Sequence, residues 1–338
     1  IGLSGHSLGM VPLDEEGALL LDSVPIWSDS RPGDDELKPF FSRVPEEDWY
    51  MLTGNGFPPA LYTVFKILWM KKNQSEVFFR TKKVIGTKDY INLMLSGTVA
   101  TDFSYASGSG VFDLENWRYD DELIGCSNID RSKLPVMKNS EAIIGTLKKE
   151  VAQLLGLAEE TQVVCGGVDN ACMALGANCI GDGESYTSLG TSAWIAVSSN
   201  EPIVDVKNRT YVFAHCIKGQ YVSAAAIFSA GNSFRWVRDE LCKDLIIEAS
   251  STGQDVYELM NKEGVLSTRG SNKLLFNPSL AGGSSLDDSI YIKGAFVGLT
   301  LAHKRSDMIR SAMEGIALNL KVALDVLEAK TPLVKDML

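Results

Sequence analysis

The stretch from Thr161 to Ser199 constrains this chain more than any other. It reads TQVVCGGVDNACMALGANCIGDGESYTSLGTSAWIAVSS. The pattern predicts strand, acid, helix, glycine turn, strand, Gly-Thr-Ser turn, strand. Val163 and Val164 end an apolar run, and Gly166-Gly167 let the backbone turn tightly. Asp169 then falls where the strand stops and a helix begins. Ala171, Met173, Ala174, Leu175 and Ala177 are good helix formers, and Gly181-Asp182-Gly183 ends the helix in a turn. Tyr186 to Val197 is β-rich, broken by Leu189-Gly190-Thr191-Ser192-Ala193. A small turn of this kind can aim successive backbone N–H groups at an anion. A carboxylate near a phosphate cradle suits phosphoryl transfer to a hydroxyl, with one part taking the proton and the other holding the phosphates. Each signal alone has a plainer reading, Asp169 as an N-cap and Gly-Thr-Ser as an ordinary turn.

The rest of the chain limits the alternatives. Its 338 residues suffice for two domains, and 45% hydrophobic with 22% charged residues is a globular composition. A net charge of −11 argues against a nucleic-acid partner. Phosphate must then be met by local backbone dipoles. No apolar run reaches the roughly 18 residues of a membrane span, so no membrane partner is expected. The six cysteines form no C-x-x-C pair and histidine occurs three times, which disfavours zinc. Cys172 and Cys179 are expected on one buried helical face, reduced, in a cytoplasmic protein.

Read from its start, Ile1 to Ser4 resembles the middle of a sheet, and a chain missing its first strands is expected. Met10 to Leu21, turning at Asp14-Glu15-Glu16-Gly17, predicts a hairpin. Gly5-His6-Ser7-Leu8-Gly9 matches the G-x-S-x-G elbow of serine hydrolases. The elbow needs a helix after the serine, whereas Pro12 and a turn follow here; only His215 and His303 remain to complete a triad. Trp27, Asp29 and Arg31 form a group able to face a polyol, or a packed Trp beside a surface ion pair. Helical pieces are expected over 45–73, around a 53–56 turn, with Ala60, Val64, Ile67 and Leu68 on one face. A helix over Thr87 to Leu95 ends at Ser96-Gly97. The small hydroxylated run 98–108 supplies hydrogen bonds to a substrate or forms a polar loop. Phe112 to Tyr119 and Asp130 to Pro135 read as connections, Ser140 to Leu147 as a strand and Lys148 to Leu155 as a helix. Tyr211 to His215 and Gln220 to Ala226 predict a strand pair. Helices follow from Ser233 to Cys242, from Ile247 to Glu263 and from Ser306 to Ala329. In the last, Met308, Ile309, Met313, Ile316, Ala317, Leu320 and Ala323 recur at helical spacing. Leu274 to Gly283 reads as strand and loop, Gly294 to Gly298 as a turn, and 331–338 as a helix end running towards a missing strand.

Six stretches in order resemble the FGGY carbohydrate kinases, in their xylulokinase-like branch. They are WSDSR at 27–31, KDYINLMLSGTVATDFSYASG at 88–108, CGGVDNACMALGA at 165–177, SLGTSAWI at 188–195, SAGNSFRWVRDEL at 229–241 and GAFVGLTLAHKRSDMIRSAMEGIA at 294–317. The resemblance implies an α/β fold of two actin-like (ribonuclease H-like) ATPase domains with an interdomain cleft. The sugar-binding domain would run over 1–181 and the nucleotide-binding domain over 182–338. It implies ATP and Mg²⁺ as cofactors and a small-molecule sugar or polyol as acceptor; pairing as a homodimer stays open. Asp169 would be the general base, and Asn170 would hold a sugar hydroxyl. His6, Ser7, Trp27, Asp29 and Phe103 fall in stretches that line the family's sugar pocket. Gly190, Thr191, Ser192 and Gly231 would serve the nucleotide phosphates. Xylulokinases carry Gly-Gln-Met-His-Gly where this chain has Gly5 to Gly9, which widens the acceptor to another pentose, hexose or polyol. The family's N-terminal Asp-x-Gly-Thr and C-terminal Gly-Gly-Gly stretches are absent from the sequence, and no metal ligand is assigned. A non-catalytic sugar-binding relative and a serine hydrolase are the alternatives.

Overall fold

The computed structural model describes residues 1–287, 289 and 291–334. It contains thirteen α-helices among those residues and divides into two compact units. The first comprises Ile1–Glu184 and Val197–Ser223; the second comprises Ser185–Ala196 and the chain from Ala224 onward.

In the first unit the opening residues do belong to a sheet. Ser4–Gly5 pairs in parallel with Gly167–Val168, and the ladder extends through Val164 N–H to the Ile1 carbonyl at 2.9 Å. The expected hairpin is reduced to one bridge, Leu13 to Leu19. The strand Val11–Leu13 pairs instead with Lys83–Ile85. Lys83-Val84-Ile85 holds only two β-prone residues before the helix-starting Gly86, too short a run to betray that strand. Helices Glu46–Thr53 and Thr63–Asn73 flank the 53–56 turn, where Gly54 adopts φ 62°. The core beside them is aromatic: Phe40, Trp49, Tyr50, Tyr62 and Phe65 are almost wholly buried. Trp49 and Tyr50 keep their polar ends satisfied, as buried Trp and Tyr must. Trp49 Nε1 donates to the Gly110 carbonyl at 2.8 Å, and the Tyr50 hydroxyl donates to the Thr210 carbonyl at 3.0 Å.

The returning segment Val197–Ser223 closes this core. Val212 N–H donates to the Gly54 carbonyl at 3.0 Å, Tyr211 stacks on Phe57 at 3.9 Å, and Trp117 Nε1 donates to the Tyr221 hydroxyl at 2.7 Å. The stretch read as a connection from Phe112 to Tyr119 is a small hairpin, Phe112–Asp113 against Arg118–Tyr119. The helix Thr87–Ser96 ends at Gly97, in the left-handed region at φ 78°.

Four strands pair in the order Glu184–Leu189, Ala193–Ser199, Tyr221–Ile227, Tyr211–Ala214. Tyr221–Ile227 is buried along its whole length, as suits an inner strand of small and apolar residues.

In the second unit the helix Arg305–Glu328 packs on Phe276 and on the helices that precede it, through Ile309 and Ala312. Gly315 is required there, since a Cβ would lie 2.1 Å from the Phe276 carbonyl oxygen. Ile309, Ile316 and Ala323 face inward as expected, but Met313 and Ala317 are exposed; Ser311, Ala312 and Gly315 take the buried face instead. Small residues permit close packing that a search for bulky apolar spacing overlooks. The single helix expected from Ile247 to Glu263 is two, Lys243–Thr252 and Val256–Gly264. Gly253 at φ 74° ends the first, and the Asp255 carboxylate caps the second by accepting from Tyr257 N–H at 2.7 Å. The expected turn at Gly294 to Gly298 holds a strand, Ala295–Val297, antiparallel to Leu275–Asn277. Residues 335–338 of the expected terminal segment lie outside the described residues.

Candidate active site

Asp169 is the first residue of the helix Asp169–Gly176, following extended Val168. The turn before it tolerates no side chains. Gly166 sits at φ 74°, where a Cβ would lie 2.2 Å from the Leu3 carbonyl oxygen. A Cβ on Gly167 would lie 2.4 Å from Cys216 Sγ.

A buried polar network anchors both ends of this turn. Lys88 Nζ pairs with Asp89 at 2.5 Å and Asp102 at 2.9 Å, and donates to the Cys165 carbonyl at 3.3 Å. Burial opposes the Lys88 charge, but the two carboxylates outweigh it and hold the ammonium protonated. Asn92 adds a second donor to the Cys165 carbonyl at 2.8 Å. Beyond the glycines, Val168 N–H donates to Ser104 Oγ at 2.9 Å, and Ser104 Oγ in turn donates to the Asp102 carboxylate. Asp102 also caps the helix Phe103–Ser107, accepting from Ser104 N–H at 2.9 Å. The hydroxylated run 98–108 is thus mostly buried scaffold behind Asp169 rather than a polar loop. Lys88, Asp102 and Ser104 were missed as site-supporting residues. The D-x-S spacing of a cap at Asp102 was the one signal on offer.

The Asp169 residue is exposed, yet desolvation by its surroundings pushes its carboxyl above the ordinary aspartate range. The Asn170 N–H, donating to Oδ1 at 2.9 Å, and His6 both oppose that shift. Asn170 itself is buried. His6 lies close enough for its charge to couple to Asp169; burial lowers its pKa, Asp169 raises it and Lys66 lowers it, with a net fall. The imidazole is therefore neutral near pH 7. Its Nε2 is buried without a hydrogen-bond partner among the described residues, and a Cβ on Gly9 would come within 2.9 Å of it.

Ser7 is buried and no helix follows it. Among the described residues no hydrogen bond joins Ser7 to His215. His215 accepts from Ile217 N–H at 2.9 Å, and His303 is engaged by Thr300 N–H at 2.9 Å. The elbow reading of Gly5 to Gly9 is overturned: the serine follows a strand but enters a bend at Leu8, φ 61°, not a helix.

Trp27 is half exposed. Asp29 pairs with Arg31 at 2.6 Å, and the Arg31 guanidinium stacks over Trp69 at 4.3 Å. Burial opposes ionisation of Asp29, but the Arg31 hydrogen bonds hold its carboxyl below the usual range. Lys66, unremarked in the sequence because it looks like a surface lysine, is buried and donates to the Leu8, Trp27 and Leu61 carbonyls. It ties the His6–Ser7 loop to the Trp27 turn. Phe103 is edge-on to Trp117 at 5.4 Å and lines a 640 Å³ cavity with Lys83, Tyr119 and Arg131. None of the other expected sugar residues lines that cavity.

In the second unit the Gly190-Thr191-Ser192 turn meets the start of the helix Gly231–Leu241. Gly231 N–H donates to the Gly190 carbonyl at 2.9 Å and Asn232 N–H to the Thr191 carbonyl at 3.1 Å. Ser233 N–H donates to Asn232 Oδ1 at 2.8 Å, and Gly190 N–H to the Ser192 carbonyl at 2.9 Å. The amides of Gly190 and of the first helical turn are thus already satisfied internally. Gly231 contributes by having no side chain, since a Cβ would lie 2.4 Å from the Gly190 oxygen. Thr191 and Ser192 are exposed at the turn.

The cysteine expectation is corrected here. Cys172 and Cys179 share no face, because the helix ends at Gly176; the neighbour of Cys172 is Cys216, with sulfurs 3.8 Å apart. All six cysteines are free thiols.

Two family profiles match the chain: the N-terminal domain of the FGGY family of carbohydrate kinases over residues 1–176, and its C-terminal domain over 185–335. The chain is 32% identical to a xylulose kinase of Lactococcus lactis over 331 residues, 97% of this chain and 62% of that protein. It is 30% identical to a gluconokinase of Bacillus subtilis over 324 residues, 95% of this chain and 62% of that protein. The chain thus spans 62% of the length of these curated relatives. Among solved structures it resembles a ligand-bound xylulose kinase from Lactobacillus acidophilus, with a TM-score of 0.86 at 26% identity, covering 100% of this chain and 66% of that one. A gluconate kinase from the same organism gives a TM-score of 0.85 at 26% identity, with the same coverage. These neighbours have the two-domain actin-like, ribonuclease H-like architecture. No helix among the described residues is long and apolar enough to cross a membrane.

Proposed function

The chain belongs to the FGGY family of carbohydrate kinases, and from that premise we propose that it carries out ATP-dependent phosphorylation of a sugar or polyol hydroxyl. Asp169 acts as general base. Its carboxylate takes the acceptor proton as the bond to phosphorus forms, and a pKa raised by desolvation makes it the stronger base. The transition state is loose, so positioning matters more than covalent chemistry. His6, Ser7, Trp27, Asp29 and Asn170 are assigned to the acceptor within the 1–181 domain. Phe103 is assigned by resemblance alone. Gly190, Thr191, Ser192 and Gly231 are assigned to the nucleotide phosphates within the 182–338 domain, with the Thr191 and Ser192 hydroxyls as donors.

Mg²⁺ would enter with the nucleotide. Among the described residues no group of three or more His, Cys, Asp or Glu side chains could hold a metal ion, so no residue is assigned to it. Xylulose and gluconate head the acceptor panel because similar proteins carry those names. Six unpaired thiols and a need for ATP favour the cytoplasm.

The observation that carries this reading is an exposed aspartate at a helix start, coupled to a neutral histidine and backed by a buried network. Asp169→Asn is expected to lower the sugar-dependent rate of ADP release by about 10²- to 10⁴-fold, with the melting temperature unchanged. The wild-type rate should fall on acidification with a midpoint above the ordinary aspartate value of 3.8. An Asn variant as active as wild type refutes the assignment. Sugar binding by calorimetry without turnover under any nucleotide would instead make the protein a non-catalytic binder.

A further inference from the structure

We propose that Lys66 is a positioning residue for acceptor recognition, its buried ammonium locking the left-handed bend at Leu8, and with it His6 and Ser7, to the Trp27 turn. The inference rests on the sugar-kinase reading above.

A bulky residue in the left-handed region is uncommon and persists only where its surroundings over-determine it. Leu8, at φ 61°, is held twice. Its side chain is buried in a slot that exists because Gly108 has no Cβ; one there would lie 2.7 Å from Leu8 Cδ2. Its carbonyl accepts from Lys66 Nζ at 2.7 Å. The next carbonyl, that of Gly9, accepts from the Tyr105 hydroxyl at 2.5 Å and from Thr63 Oγ1 at 3.3 Å. The loop thus cannot flip a peptide without losing a buried donor.

Lys66 spends its three N–H bonds on three separate segments: Leu8 at 2.7 Å, Leu61 at 2.6 Å and Trp27 at 3.4 Å. An ammonium has three donors and no acceptor, so these carbonyls exhaust it. No carboxylate lies within ion-pair distance of it among the described residues. A buried cation satisfied only by carbonyls is costly to hold, and an apolar residue would fill the space more cheaply if packing were the sole need. The charged groups around it are Asp29, which favours its charge, and Arg31, which opposes it. His6 feels the ammonium in turn. Burial dominates and brings Lys66 down to about 8. Three residues assigned to the acceptor therefore take their positions from one side chain whose own three donors are already engaged by carbonyls.

The test compares full-chain Lys66→Met and Lys66→Arg with wild type. The first readout needs no sugar: the imidazoles of His6, His215 and His303 are titrated by NMR. In Lys66→Met the His6 pKa should rise while the other two stay put; in Lys66→Arg it should remain low. The second readout is kinetic. Lys66→Met should raise the KM for sugar about tenfold or more and leave the KM for ATP unchanged. Wild type should lose sugar affinity as pH passes about 8, and Lys66→Arg should abolish that alkaline limb, because arginine keeps its proton. An unmoved His6 in a folded Lys66→Met, or equal rises in both KM values, overturns the proposal. If the Met variant does not fold, the Arg variant's missing or persisting alkaline limb decides. A wild type with no turnover on any sugar refutes the kinase reading and leaves the His6 titration to judge Lys66.

Discussion

Two glycines beside the Gly-Thr-Ser turn should respond to the same substitution in opposite ways. At Gly231 a new Cβ would lie 2.4 Å from the Gly190 carbonyl oxygen, a separation that Cβ atoms do not adopt. Reaching 3.4 Å requires a shift of about 1 Å of backbone, not of a flexible side-chain end. The crowded oxygen is also the acceptor for the Gly231 N–H at 2.9 Å. Moving it apart breaks that bond and strains the Ala230 and Asn232 N–H bonds to the Thr191 carbonyl, at 3.2 and 3.1 Å. At about 1 kcal/mol per backbone bond, with overpacking in the same range, the loss for Gly231→Ala is about 2–3 kcal/mol. At about 2–4 °C per kcal/mol, the second unit should melt about 4–12 °C lower. At Gly190 a Cβ would lie 3.7 Å from the nearest oxygen, that of Ser192, an ordinary contact. Gly190→Ala should therefore melt within a degree or two of wild type. Calorimetric melting of both variants, with the KM for ATP measured alongside, checks this. A Gly231→Ala that melts like wild type, or a Gly190→Ala that is the worse of the two, refutes the steric argument.

Two further outcomes follow from titrating groups. Lys66 releases its proton near pH 8 when folded and near 10.5 when unfolded. The unfolded chain thus binds the extra proton in that window, and stability rises with pH there, by about 3 kcal/mol at most. The wild-type unfolding free energy minus that of Lys66→Met, measured in urea across the window, should climb; a flat difference rejects the depressed pKa. The second outcome concerns Cys172, whose pKa is lowered chiefly because the Cys216 thiol donates to its sulfur. Iodoacetamide at neutral pH should label Cys172 about tenfold faster than the buried thiols, and Cys216→Ala should remove the advantage, as read by peptide mass spectrometry.

The central stretch was legible because each of its turns uses a residue with few substitutes. Gly166 and Gly167 mark close backbone approach, and Asp169 marks the helix start. The helix boundary at Gly97 was readable for the same reason. What stayed hidden depends on which face a residue turns inward. Lys66 and Lys88 look like solvent-facing lysines of amphipathic helices; only the fold shows one among carbonyls and the other between Asp89 and Asp102. The Lys83–Ile85 strand was too short to carry a period of two, and its partner lies some seventy residues earlier. Gly253 was overlooked because one glycine inside a helical pattern is often tolerated. A turn does fall at Gly190 to Ser192, but the role predicted there for successive amides meets a structure in which Gly190 and the helix start already satisfy their own.

The return of Val197–Ser223 to the first unit has a consequence for how the protein is made. Tyr50, Gly54, Phe57 and Trp117 each have a partner in that segment: Thr210, Val212, Tyr211 and Tyr221. A nascent chain halted near Gly181 would hold an aromatic cluster with one wall missing. Translation must deliver residue 223 before that wall can close.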